Sequence, residues 1–300
     1  MMPEKVTLAI AADLHTNGTT ALCPPVVTLD DGGSYHASPL QLDLWRCWGE
    51  YIRQARQAAT GGKLYTIFDG DIFDGDHHDT SQIITRNPAT MLRLAFDTIE
   101  PLLEISDASF VVRGTDVHVG KSGNMEEALA NDIEAVKCPD TATCSWRVLN
   151  MEVGGKLINV AHHANMGQLP WTRPNAANTL AARAMMERMR RGRRIPDLVV
   201  RGHWHFFADS HDTFPTRAIF CGAWQLGTDY THKVNPDAVS DIGGWIVTIE
   251  DGQLDARAAQ FVPKESAIWT EQAMAEQVPA KAMLAPEVWL EMEHSQSEEN

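Results

Sequence analysis

Five short clusters rich in carboxylate, imidazole and glycine punctuate this chain, and four of them close an apolar run. They are Asp13-Leu14-His15, Gly70-Asp71-Ile72-Phe73-Asp74, Gly114-Thr115-Asp116-Val117-His118, His162-His163 and Gly202-His203-Trp204-His205. Apolar runs that end in the same chemistry are what strands of an α/β sheet provide, because their carboxyl ends bring residues distant in sequence to one place. A mixture of imidazole and carboxylate suits borderline divalent metals such as Zn, Mn, Fe or Ni. A hydrolytic metal site is therefore the leading expectation.

The intervening segments fit that plan. Val6 to Ala12 is apolar apart from Thr7, which predicts a strand buried on both faces, with Asp13 at its carboxyl end. Residues 17–37, rich in Gly, Pro, Thr and Asp, predict a long loop over the site. Ser38-Pro39-Leu40-Gln41 reads as a capping box with proline at the first helical position. Leu44, Trp48, Tyr51, Ile52, Ala55 and Ala59 continue at helical spacing until Gly61-Gly62. Leu64 to Phe68 predicts a second strand, Met91 to Leu102 a second amphipathic helix, Phe110 to Arg113 a third strand, and residues 123–136 a shorter helix. In the second half, Trp146 to Val153 and Lys156 to Ala161 flank Gly154-Gly155 as a hairpin, and a helix follows at 174–191. Strands at 197–201, 217–221 and 244–250, the last turning through Asp251-Gly252 into another strand, predict a second sheet facing the first. One domain is expected over residues 1–262, followed by an acidic extension over 263–300 whose last residues, His294 to Asn300, are disordered.

Composition narrows the function classes. The 40 acidic against 25 basic residues give a formal charge of -15, which argues against broad attachment to a phosphate polymer. Bound divalent cations would make the pocket locally positive, so a phosphorylated or nucleic-acid substrate stays open. Cysteines at 23, 47, 138, 144 and 221 show no Cys-x-x-Cys spacing, so neither a disulfide framework nor a thiolate zinc site is expected. The apolar stretch before Asp13 is too short for a signal peptide, and no run approaches the ~18 apolar residues of a membrane helix. A cytoplasmic protein without membrane contact is the expectation.

On extended backbone, Asp13 and His15 would share one face and grip one ion, and His203 and His205 would repeat that spacing. Gly70 permits a tight strand-to-loop turn that leaves the two oxygens of Asp71 free to bridge metals. Asp13-x-His15, Gly70-Asp71-x-x-Asp74, His162 and Gly202-His203-x-His205, in this order over residues 6–250, resemble the calcineurin-like metallophosphoesterase superfamily. Its pattern is D-x-H, G-D-x-x-D, G-N-H-(D/E), H, G-H-x-H. The resemblance implies an α-β-β-α fold of two facing mixed sheets flanked by helices, and hydrolysis of phosphoesters as a phosphodiesterase or phosphatase. It implies two divalent ions (Mn, Fe, Zn or Ni), ~3.5–4 Å apart, holding a bridging hydroxide for in-line attack on phosphorus. Asp13, His15, Asp71 and His205 would bind the first ion; Asp71, His162 and His203 the second. Asp74 would orient ligands or loop amides from behind. A positioned histidine would protonate the leaving alkoxide.

The third cluster departs from that pattern. Thr115 replaces the asparagine ligand by simple register, Asp116 offers a carboxylate instead, and His118 falls two positions beyond the family's acid histidine, as proton donor or as ligand. The G-T-x-x-H variant is similar to uncharacterised phage and prophage members, which implies a host-cytoplasmic setting. His163 reads as turned to the other side of its strand, or as the ligand in place of His162. Asp76, His77, His78 and Asp79 read as a solvated loop or an accessory metal site. Trp171, Trp204 and Trp224 read as pocket walls or core, and His211 as exposed or substrate-facing. Arg183, Arg188, Arg190, Arg191, Arg193 and Arg194 complement the end of a helix stopped by Gly192 or contact phosphate. Two alternatives follow: a DNA or RNA nuclease of the repair-exonuclease type, motivated by that arginine run, and a metal-binding regulatory module with reduced catalysis, motivated by the altered cluster.

Overall fold

The first strand, β1 (Val6–Ala11), is buried along its whole length. Such burial is what a continuous apolar run requires when helices cover one face of its sheet and a second sheet the other. The computed structural model to which it belongs describes residues 5–76, 80–164, 172–234 and 239–263. The segment read as a loop after β1 contains a short antiparallel ribbon, β2 (Val26–Thr28) and β3 (Ser34–His36). Strands of three residues among turn formers leave too little alternation to be read as strand. Helix α1 (Pro39–Ala58) starts with both halves of its capping box made: the Gln41 N–H donates to Ser38 Oγ at 3.2 Å, and the Ser38 N–H to Gln41 Oε1 at 3.0 Å. β4 (Lys63–Asp69) runs parallel to β1. Asn87 caps α2 (Pro88–Leu103), accepting from the N–H groups of Ala89 and Thr90. β5 (Ala108–Val112) leads into the four-residue α3 (Asp116–Val119) and then α4 (Asn124–Asp132).

The expected strand from Trp146 to Val153 is two strands. β6 (Ser145–Trp146) adds to β5 in the first sheet; the chain then turns at exposed Arg147 and Val148, and β7 (Leu149–Val153) pairs with β8 (Lys156–Val160) in the second. Helix α5 (Arg173–Arg190) is followed by β9 (Leu198–Arg201), β10 (Ala208–Asp209), β11 (Arg217–Phe220) and α6 (Asp229–Val234). β12 (Ile242–Glu250) and β13 (Gln253–Phe261) form the last hairpin, and they lie in the first sheet. This corrects the placing of 244–250 in the second sheet. β12 pairs antiparallel with β1, and an apolar strand buried beside β1 hides more surface there than on an outer edge.

Two mixed sheets result, in strand order β13-β12-β1-β4-β5-β6 and β10-β11-β9-β8-β7. Side chains of both, including Leu8, Ile10, Ile67, Ile158, Val200 and Val247, form one buried core between them. Helices α1, α2 and α4 cover the outer face of the first sheet through Trp48, Tyr51, Ile99 and Leu129, and α5 covers the second through Ala177 and Ala181. The order is helix, sheet, sheet, helix. Parallel pairing of β1, β4 and β5, and separately of β8 and β9, brings the carboxyl ends of five strands together. Of the extension expected at 263–300, all but Pro263 lies outside the described residues, as do His77, His78, Asp79 and Trp171.

Candidate metal centre

Two loops lie side by side beyond β1 and β4. The N–H groups of Asp13, His15 and Thr16 donate to the carbonyls of Gly70, Asp71 and Ile72 at 3.0, 3.0 and 2.8 Å, and the Asp74 N–H returns to Thr16 at 2.8 Å. The expectation of extended backbone is corrected here. Asp13, His15, Asp71, His203 and His205 all have left-handed φ, at 53°, 47°, 51°, 75° and 57°. Each such residue costs of order 1–3 kcal/mol, and non-glycine residues in this conformation concentrate at functional sites. Gly70 has a φ of 79°, and a Cβ there would stand 2.5 Å from His162 Nδ1, so no side chain is accommodated at that turn.

Asp13 Oδ1 is the centre of the first group. Among the described residues it is buried without a hydrogen-bond partner, while the Nε2 atoms of His205, His162 and His15 stand 3.4, 3.7 and 3.9 Å away. His15 Nε2 and His205 Nε2 are 3.2 Å apart. Asp13 Oδ2 is used differently, accepting the His203 N–H at 2.8 Å. Burial alone would raise the Asp13 carboxyl, yet the His162 and His205 rings hold it below its ordinary value. An orphaned carboxylate oxygen ringed by three imidazole nitrogens fits a divalent ion, which the donor set of Asp13, His15 and His205 can hold.

The second group lies around Asp71. His162 Nδ1 is 2.6 Å from the Asp69 carbonyl, which fixes its proton there and turns Nε2 to Asp71 Oδ2 at 2.9 Å. Burial opposes the charge of both side chains, but their mutual attraction wins: Asp71 lies well below its ordinary range and His162 well above. Thr115 donates its N–H to Asp71 Oδ1 at 2.6 Å, and its hydroxyl is 3.1 Å from Asp71 Oδ2. Asp116 is turned away, accepting the Ser122 N–H at an exposed position. His163, read as facing away, instead places Nε2 3.0 Å from the Thr115 hydroxyl, with His203 Nδ1 at 3.3 Å from the same oxygen. His162, His163 and His203 present ligand atoms within 4.8 Å of one another, and Asp13, Asp71 and His162 do the same.

His118 lies beside the first group. Its Nδ1 is 3.0 Å from Asp74 Oδ1, and its ring stands edge-on to His15 at 4.7 Å. Asp74 also accepts from Gln225 Nε2 at 3.1 Å, while Asn17 Nδ2 donates to its backbone oxygen at 2.9 Å. The sequence reading missed Asn17, Gln225 and Glu126. Glu126, fully buried on α4, accepts the N–H of Ile72 at 3.2 Å and of Gly114 at 2.7 Å, tying together the loops that carry Asp71 and Thr115. Burial, and then the charge of Asp71, push its carboxyl up to about 8. A Glu on a helix reads as solvent-facing, so no signal in the sequence marks it. Asp69 is also pushed up to about 8, first by burial.

Clefts open on both sides of His163. One, of about 450 Å³, is lined by Arg183, Arg201, His203 and Trp204; the other, of about 410 Å³, by Arg113, Asp116 and Arg147. Of the arginine run, Arg188 contacts Asn150, Arg190 and Arg191 pair with Glu187, and Arg194 pairs with Glu152, whereas Arg183 lines the cleft beside the cluster. Trp224 is core, packed edge-on to Trp48 at 4.8 Å. His211 pairs with Asp209 and Asp76 with Arg86.

No protein-family model and no curated protein matches the chain. Solved structures do. A dimetal phosphatase from Danio rerio is 10% identical, with 84% of this chain and 95% of that chain covered and a TM-score of 0.40. Vps29 from Entamoeba histolytica, solved with zinc, is 9% identical over 85% and 98% at 0.39. An archaeal phosphodiesterase is 11% identical over 84% and 99%, also at 0.39. No helix among the described residues is long and apolar enough to cross a membrane.

Proposed function

We propose that this chain is a phosphoester hydrolase, a phosphodiesterase or phosphatase, that works with two divalent ions. The observation that carries the reading is the buried, unpartnered Asp13 Oδ1 with three imidazole nitrogens within 3.9 Å. Asp13, His15 and His205 would hold one ion and Asp71, His162 and His203 the other, with Asp71 between them. Ions bound there supply positive charge against phosphoryl oxygens and acidify water at neutral pH. The chain's own residues do the rest. Asp69 fixes the His162 tautomer, Glu126 and Thr115 hold the Asp71 loop, and Asp74 orients His118. His118, 21% exposed and in neither of these two sets, although its ring groups with His15 and Asp74, is the proton donor to the leaving oxygen.

A phosphodiester has two arms, and the arginine-lined clefts on either side of His163 favour a diester over a monoester. The same clefts support the nuclease reading, with Trp204 available to stack a base. The test is metal content by plasma mass spectrometry together with turnover of bis-p-nitrophenyl phosphate and p-nitrophenyl phosphate. Two ions per chain, chelator-reversible turnover, a preference for the diester, and loss of all turnover in Asp13→Asn and His205→Ala are expected. A metal-loaded protein that cuts neither ester and no oligonucleotide would leave the regulatory-module reading in its place.

A further inference from the structure

The second group of ligands contains one nitrogen more than the family pattern assigns to it, and one conventional ligand fewer. Thr115 occupies the place of the family's asparagine, whose amide oxygen would be a ligand. Both polar groups of Thr115 are engaged with Asp71: the N–H lies 2.6 Å from Oδ1 and the hydroxyl 3.1 Å from Oδ2. A hydroxyl has one hydrogen to give and is a weak ligand when neutral, so a threonine spent on a carboxylate is a poor substitute for an amide oxygen. His163 faces the same spot. Its Nε2 is 3.0 Å from the Thr115 oxygen, its ring centroid is 4.9 Å from that of His162 and 4.8 Å from that of His203, and the three rings present ligand atoms within 4.8 Å of one another. His163 sits next to His162 in the chain; the His162 carbonyl still accepts the Gly202 N–H at 3.1 Å, but the backbone from Ala161 on is no longer regular strand, and both rings reach the cluster. The side-to-side alternation of a strand no longer applies there.

We propose, resting on the two-ion reading above, that His163 supplies through Nε2 the ligand that Thr115 does not, and that Thr115 is a positioning residue clamping both oxygens of Asp71. The second set is then Asp71, His162, His163 and His203: three imidazoles and one carboxylate. Such a set favours a nitrogen-preferring ion, Zn or Co, over Mg or Mn, which take oxygen-rich sites.

The test uses full-length protein stripped of metal and titrated with cobalt(II), read by calorimetry and by visible absorption. Wild type should bind two equivalents. His163→Ala should keep the first and weaken the second by ~100-fold, the upper range for disturbing a metal site's support and a floor for removing a ligand. Thr115→Val, which keeps the N–H bond to Asp71, should keep two equivalents with the second weakened by ~10-fold, the low end for disturbing a ligand's support. Circular dichroism and thermal midpoints of the stripped variants, equal to wild type, fix the loss at the site; where alanine fails to fold, His163→Gln is read the same way. Two equivalents of unchanged affinity in His163→Ala would overturn the inference alone, as would loss of the second equivalent in Thr115→Val. Fewer than two equivalents in wild type would overturn the two-ion reading and the inference with it.

Discussion

Replacing Glu126 by alanine removes a buried side chain that, alongside the Asp71–Thr115 bonds, joins the loop carrying Asp71 to the loop carrying Thr115. Two N–H groups, of Ile72 and Gly114, lose their acceptor, and Ile72 is fully buried. A buried donor left unsatisfied costs about 1–3 kcal/mol, which applies in full to Ile72 and in part to half-buried Gly114, against total stabilities of about 5–15 kcal/mol for domains. That cost depends on pH. The carboxyl is pushed up from an ordinary 4.5 to about 8, first by burial. A group whose folded value is raised contributes its stability fully below the unfolded value and loses it as pH rises through the folded one. The gap between 4.5 and about 8 corresponds to roughly 5 kcal/mol at ~1.4 kcal/mol per unit. In metal-free protein, the stability difference between wild type and Glu126→Ala should therefore be largest near pH 5 and narrow by several kcal/mol towards pH 8.5. Urea denaturation at fixed ionic strength measures it. Glu126→Gln imitates the neutral acid but presents one acceptor oxygen, so it should cost about 1–3 kcal/mol at pH 5 and flatten the dependence. A Glu126→Ala difference under 1 kcal/mol at pH 5, or one that grows with pH, would refute the reasoning.

His118→Ala should leave metal content unchanged and lower kcat by ~10²–10⁴-fold on an alkyl diester, whose leaving group needs a proton. A p-nitrophenyl ester, which leaves without one, should lose much less; an equal loss on both would remove His118 as donor. Thiol chemistry offers a separate check. Cys138 is partly exposed, and the Thr141 hydroxyl lowers its pKa, whereas Cys23 is fully buried and pushed up to about 12 by burial. Native protein at pH 8 should give one fast-alkylating thiol, located at Cys138 by peptide mass spectrometry, and denaturant should release the other four. Trp48→Ala empties a 1%-exposed site against Tyr51 and Trp224 and should destabilise by about 3–5 kcal/mol in urea melts.

The elements that could be read from the sequence are those whose signal is local. Ser38 and Gln41 are three apart and cap each other, and α1 follows from the period of Leu44, Trp48, Tyr51 and Ala55. β12 shows where that legibility ends. Its strand character is plain in Ile246, Val247 and Ile249, but its neighbour is β1, more than two hundred residues earlier, and the bond from the Tyr51 hydroxyl to the Trp245 carbonyl at 3.2 Å spans a similar distance. The turn at Arg147-Val148 was hidden for the opposite reason, because it lacks Gly and Pro and passes between two sheets.

The site divides along the same line, and the division bears on how it works. Spacing put Asp13, His15, Asp71, His203 and His205 among the candidates, and the structure brings them together, but it assigned Asp13 and His15 to extended backbone, where i and i+2 share a face by default. Their left-handed φ values mean that the pairing is built instead by the strained turn, held by the bonds from Asp13 to Gly70 and from His15 to Asp71. Strain of this kind, at five residues whose side chains bring buried carboxylates beside imidazoles, works against folding at each of them. It persists because the two loops are hydrogen-bonded to each other and because Glu126, which spacing could not reveal, fastens the second loop to the third. These backbone and side-chain bonds set the geometry of the cluster, and substitutions at Gly70 or Glu126 should lower its metal content by plasma mass spectrometry without touching a candidate ligand.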